Sequence, residues 1–162
     1  MLELDTIGST ELVSIENCSN VPAKIDTGAD SSSIWASNID VSKDGVLSFS
    51  LFGEGSKFYT GEKIERTNFC ALVVRSSNGE EEIRYRTELS LKLGSRTIKA
   101  MFTLADRSKN HFPILIGRRT LKNKFLVDVS RRAVEKRTNP KTPSLNKELK
   151  ENPFKFHKKY IK

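Results

Sequence analysis

The stretch from residue 78 to residue 105 constrains this chain more than any other. Asn78-Gly79, a strong two-residue hairpin signal, is followed by a long period-two run. Ile83, Tyr85, Thr87, Leu89, Leu91 and Leu93 share one face, and Arg84, Arg86, Glu88 and Lys92 lie mostly on the other. Gly94-Ser95 then turns the chain into Ile98, Ala100, Phe102 and Leu104, again alternating with smaller or more polar neighbours. A helix period cannot accommodate such a pattern, so the segment predicts two long antiparallel strands packed on a core.

The remaining elements agree with that class. Glu11–Ile15 and Ala23–Ile25 read as a hairpin around the turn-formers Asn17-Cys18-Ser19-Asn20. Ser33–Ala36, Val46–Phe52 and Phe69–Val74 read as further strands. Arg118–Lys124 has a helical turn with Leu121 and Phe125 four apart, and Leu126–Val129 returns to strand. The prediction is an all-β domain of six to nine short strands with one short helix near its end, and the strand spacing favours a small closed or nearly closed barrel. Asp5-Thr6-Ile7-Gly8 carries a single apolar residue and is expected to be a mobile leading segment. Trp35 is expected in the core or at an interface.

Charge divides the chain in two. Residues 131–162 hold 11 of the 28 Lys/Arg but only 3 of the 20 Asp/Glu. The net charge of +8 therefore lies wholly in that tail, and residues 1–130 balance at 17 of each sign. Asn139-Pro140, Thr142-Pro143 and Asn152-Pro153 interrupt the tail, so it is expected to be mobile, with a short helix over Ser144–Glu151. The expected organisation is a β-barrel domain over 1–130 and a basic extension over 131–162. An acidic partner for the tail is conceivable by charge, although no aromatic stacking platform for nucleic acid accompanies it.

No window approaches the roughly 18 apolar residues of a membrane span, and residues 1–5 show no leader pattern, so a cytoplasmic location without membrane contact is expected. Cys18 and Cys70 are then expected as free thiols. His111 and His157 are the only histidines, and neither belongs to a zinc-ligand spacing. Gly53-Glu54-Gly55-Ser56-Lys57 is too short for a phosphate loop. The reading therefore includes no metal and no cofactor.

Chemistry is concentrated in Ile25-Asp26-Thr27-Gly28-Ala29-Asp30 and, some ninety residues later, Ile114-Leu115-Ile116-Gly117-Arg118. A lone Asp-Thr-Gly is usually just a turn. An apolar strand end, D-T-G-A-D, a hairpin, an apolar run and Gly-Arg in this order form a more specific pattern, which resembles the half-site of retropepsin-like aspartic proteases. The resemblance runs from about Val21 to Val129. The later blocks, Tyr85–Leu89, Leu104–Arg107 and Ile116–Arg119, resemble more closely the bacterial RimK-associated group often labelled "ATP-dependent zinc proteases".

The resemblance implies a small acid-protease barrel, with Asp26 as one of two catalytic carboxylates and Thr27, Gly28 and Ala29 as the turn presenting it. It also implies that Arg118 braces the turn through a bidentate pair with Asp30, and that the flap over a bound peptide has its tip at Ser76-Ser77-Asn78-Gly79. Two aspartates about 3 Å apart cannot both ionise, so they share a proton and divide the roles of base and acid. Ala29, where many bilobal relatives have serine, offers the carboxylate no hydroxyl, so the pair is expected to work nearer neutral pH. A chain of 162 residues encodes one lobe. The expected enzyme is therefore a homodimeric aspartic endopeptidase acting on a peptide or protein, with one Asp26 from each subunit. The alternatives are a catalytically silent dimeric peptide-binding adaptor that accompanies a peptide ligase, and a metallopeptidase as the group's label says.

Overall fold

A computed structural model describes residues 3–76, 78–136 and 138–161. Six strands close into a ring. They are β2 (Thr10–Ile15), β3 (Cys18–Ile25), β4 (Ser32–Val41), β8 (Glu81–Leu93), β9 (Arg96–Ala105) and β10 (Ile114–Ile116). The ring runs β10-β3-β2-β8-β9-β4 and shuts where β10 pairs with β4 as well as with β3. β5 (Leu47–Leu51) and β6 (Ile64–Arg66) extend from β4, and β7 (Phe69–Arg75) pairs with β8. The expected small β-barrel is the fold observed.

The ring closes because alternate side chains fill it. Val13, Ile15, Val21, Ala23, Ile34, Leu89, Leu91, Leu93, Phe102, Leu104, Ile114 and Ile116 are all buried in one cluster. Trp35 packs on the edge of this core, with Gly53 so close that a Cβ there would lie 2.9 Å from the indole. The apolar face of β8 is not buried along its whole length. Thr87 to Leu93 face the core, but Ile83 is 75% exposed because β7 and β8 run on together beyond the barrel. Opposite it in register, Val73 is 61% exposed.

Asp5–Gly8 is not a mobile leader. It forms β1, which pairs in parallel with β11 (Phe125–Asp128), and Ile7 is 1% exposed. One buried isoleucine and a partner strand some 120 residues away fix it, and neither is visible as local periodicity. The first hairpin is also tighter than expected. β3 already begins at Cys18, and the turn falls at Glu16-Asn17, with Glu16 in the left-handed region at φ 50°.

The tail leaves the barrel later than residue 131. Arg131 O accepts from Ser9 N at 2.8 Å, and the Ala133 and Val134 amides donate to Thr10 Oγ1 at 3.1 and 3.0 Å. Beyond this strap lie two helices, α2 (Thr142–Glu151) and α3 (Pro153–Tyr160). α2 contains the helix expected over Ser144–Glu151. α3 was unexpected because Pro153 reads as a breaker, yet proline fits the first turn of a helix and Asn152 caps it by accepting from Lys155 N at 3.0 Å. Neither helix buries a residue, and the link between them is Glu148 with Lys159 and Tyr160 at 2.8 and 2.7 Å. Among the described residues no helix is long and apolar enough to cross a membrane. Both cysteines are free thiols, and burial pushes that of Cys18 above its usual pKa.

Candidate active site

The site is built where β3 ends. β10 lies between β3 and β4, parallel to the first and antiparallel to the second, with Ile116 beside Ile25 and Ile114 beside Ile34. These isoleucines are buried, so the strand ends are anchored from below and the chain must turn outward at Asp26. The Asp26 amide donates to Ile116 O at 2.8 Å, and Ala29 N returns to Asp26 O at 3.2 Å. Asp26 Oδ1 accepts the Gly28 amide at 3.0 Å. A Cβ on Gly28 would stand 3.2 Å from that oxygen, so glycine lets the backbone come this close to the carboxylate.

The helix α1 (Arg118–Leu121) locks the turn from the other side. Arg118 N donates to Ala29 O at 2.8 Å and Arg119 N to Asp30 O at 3.1 Å. Gly117 can be nothing larger, since a Cβ would lie 2.5 Å from Ser31 O and 2.9 Å from Ala29 O. Its amide donates to Ser32 Oγ at 3.0 Å, and that hydroxyl meets Thr120 Oγ1 at 2.6 Å in the interior. An apolar pair closing on Gly-Arg is thus the counterpart of D-T-G-A-D in the fold as well as in the sequence.

Arg118 does support the turn, but not through a bidentate pair with Asp30. Its Nη1 donates to the carbonyls of Thr27 and Gly28 at 3.2 and 2.9 Å, while its Nη2 stays 3.8 Å from Asp30 Oδ1. Arg119 is the closer partner of Asp30, at 3.1 Å from Nε to Oδ2. The guanidinium of Arg118 turns toward the carbonyls because two oxygens of the turn point at it, and this leaves Asp30 to its neighbour. Thr27 is exposed, and among the described residues its hydroxyl has no hydrogen-bond partner within the chain.

Arg107 is a residue that sequence reasoning missed. It sits after β9, with its Nε on Phe112 O at 3.1 Å. Burial, and then Arg84, push its pKa below the usual value, while the Asp26 carboxylate opposes them. Arg84, Arg107 and Asp26 thus share one electrostatic environment. Beside Ile25 and β2 a cavity of about 370 Å³ is lined by Lys24, His111, Arg132 and Lys136, with Glu135 as its one acid. No local spacing links these positions, which come together only through the ring and the strap.

Ser76, Asn78 and Gly79, expected at a flap tip, join β7 to β8, and Ser77 lies outside the described residues. Ser76 N donates to Glu80 O at 2.8 Å and Gly79 N to Ser76 O at 3.0 Å, with Gly79 at φ 86°. Among the described residues no hydrogen bond or ion pair joins Asp26 to a second carboxylate, and no group of three His, Cys, Asp or Glu could hold a metal ion.

A closed six-stranded barrel presenting D-T-G on a turn locked by a Gly-Arg helix defines a retropepsin-like lobe. Residues 6–138 match the RimB-like family, described as retropepsin-like aspartic endopeptidase RimB, and the chain belongs to that family. The match begins within β1, takes in the strap and ends before α2. Two curated relatives, each named a probable alpha-L-glutamate ligase, come from Shewanella pealeana (33% identical) and Shewanella halifaxensis (34%). Both alignments run over 113 residues, 68% of this chain and 25% of the relative, so the chain spans about a quarter of the length of these proteins. The crystal structure of a protein of unknown function, Lpg0085 (DUF785) from Legionella pneumophila, superposes with a TM-score of 0.59 at 25% identity, over 79% of this chain and 95% of that one.

Proposed function

We propose that the chain is a homodimeric aspartic endopeptidase in which the Asp26 carboxylates of two subunits meet across a two-fold axis. The observation that carries this reading is a catalytic-type turn, rigidly held, that presents one carboxylate where the chemistry needs two. Surface properties support a second copy as the missing half. Thr27 is free to bond across an axis, and a cavity of about 710 Å³ beside the turn is lined by Leu121, Phe125 and Leu126 together with Thr27, Asp30 and Arg118. Leu126, which lines this cavity, is 56% exposed.

In such a dimer one proton is shared between the carboxylates. The ionised one takes a proton from the attacking water, and the neutral one donates to the carbonyl oxygen of the scissile bond. The β7–β8 hairpin of each subunit, which outgrows the barrel, would cover an extended peptide and add main-chain hydrogen bonds to it. Arg107 and the cationic cavity beside Ile25 favour acidic side chains near that bond. Relatives named as glutamate ligases are in keeping with an acidic peptide and with a ligase-linked setting. The basic tail would suit an acidic partner in the same setting.

The test is Asp26→Asn with association monitored. The expected result is an intact dimer whose cleavage of glutamate-rich peptides falls roughly a thousandfold or more. A wild-type dimer that binds such peptides without ever cleaving them would replace this reading with that of a binding adaptor. Loss of activity on exhaustive chelation, restored by added zinc, would replace it with that of a metallopeptidase.

A further inference from the structure

A second polar cavity lies where α1 packs against the start of β4 and the β8–β9 pair, with a volume of about 220 Å³. Its wall carries four cations, Arg86, Lys99, Arg119 and Lys124, and the hydroxyl residues Ser31, Ser32 and Thr120, with no carboxylate among the lining residues. Two of the cations have an acid outside the cavity, Arg119 on Asp30 at 3.1 Å and Lys99 at 4.0 Å from Glu88. Arg86 and Lys124 have none among the described residues. The Arg86 Nε is buried and lacks any acceptor.

This combination is unusual. Buried N–H donors almost always find an acceptor, and cations gathered round one small open pocket repel one another, less so for the exposed Lys99 and Arg119, unless an anion sits between them. We propose that this cavity is a binding site for a small tetrahedral oxyanion of the phosphate class. The planar guanidinium of Arg86 offers a fork for two oxygens, and Lys124 supplies a point charge. At about 220 Å³ the space is below the roughly 300 Å³ at which pockets begin to hold larger ligands, so a nucleotide is too big. The site does not depend on the proteolytic reading. It does touch the catalytic turn, because an anion that engages Arg119 competes with Asp30 for its guanidinium.

The experiment is a titration of the full chain with inorganic phosphate at constant ionic strength, followed by NMR at the Arg86 Nε–H and at the amides of Thr120 and Asp30. Saturable shifts at all three are expected, with at least tenfold weaker binding in Arg86→Gln. Should that variant fold poorly, Lys124→Gln keeps the test open and is expected to bind at least threefold more weakly. Linear shifts reproduced by chloride, equally tight binding of acetate, or unchanged affinity in a folded Lys124→Gln would each overturn the proposal. Saturation at Arg86 without a response at Asp30 would overturn the link to the turn.

Discussion

The turn that presents Asp26 and the tip that joins β7 to β8 are both short reversals of a β-chain, but they are held by different means. The turn is secured from far along the sequence, by Ile116, Gly117, Arg118 and Arg119 acting on residues 26–31. Among the described residues the tip is secured by itself, through bonds spanning no more than four residues, and the hairpin runs beyond the barrel past exposed Val73 and Ile83. On the proposed reading the Asp26 carboxylate must be pre-positioned, whereas the hairpin, as a cover, must let substrate in. The long-range bracing of the one and the local closure of the other suit that division.

Substitutions can break or sharpen this contrast. The largest loss of stability is expected from Gly117→Ala. Its Cβ would press on two backbone carbonyls that have no room to move, so unfolding free energy should fall by about 2–3 kcal/mol or the protein should fail to fold, as read by denaturant titration. Ser32→Ala comes next. It strands the Gly117 amide and the Thr120 hydroxyl in the interior, for about 1–2 kcal/mol and reduced turnover. The smallest effect is expected from Gly79→Ala. The site is open space, and the cost is that of a left-handed alanine, about 1 kcal/mol, falling on substrate affinity and flap order rather than on global stability. If Gly79→Ala proved as damaging as Gly117→Ala, the contrast between a braced turn and a free tip would be wrong.

The same contrast explains what could be read from the sequence. The hairpins of β7–β8 and β8–β9 announce themselves because alternation and Asn-Gly or Gly-Ser turns are local signals. D-T-G-A-D and Gly-Arg are legible because close backbone approach and a charged brace demand particular residue types. Which arginine reaches Asp30 was not legible, since Arg118 and Arg119 are adjacent and of one kind, and only the direction of the Thr27 and Gly28 carbonyls separates them. Nor was β1, whose pairing with β11 spans nearly the whole barrel domain. The electrostatic influence of Asp26 on Arg107 and the sharing of one pocket by Arg86 and Lys124 are likewise products of ring closure, and no spacing in the sequence foretells them.

The central claim is that catalysis needs an Asp26 from each of two subunits, and mixed dimers test it most directly. Wild-type and Asp26→Asn subunits would be exchanged in equal amounts and the cleavage rate measured against wild type alone at the same total concentration. Random pairing leaves two aspartates in about one dimer in four, so activity should fall to about a quarter. Retention of half the activity would mean that each chain carries a complete site of its own, and the account would be contradicted.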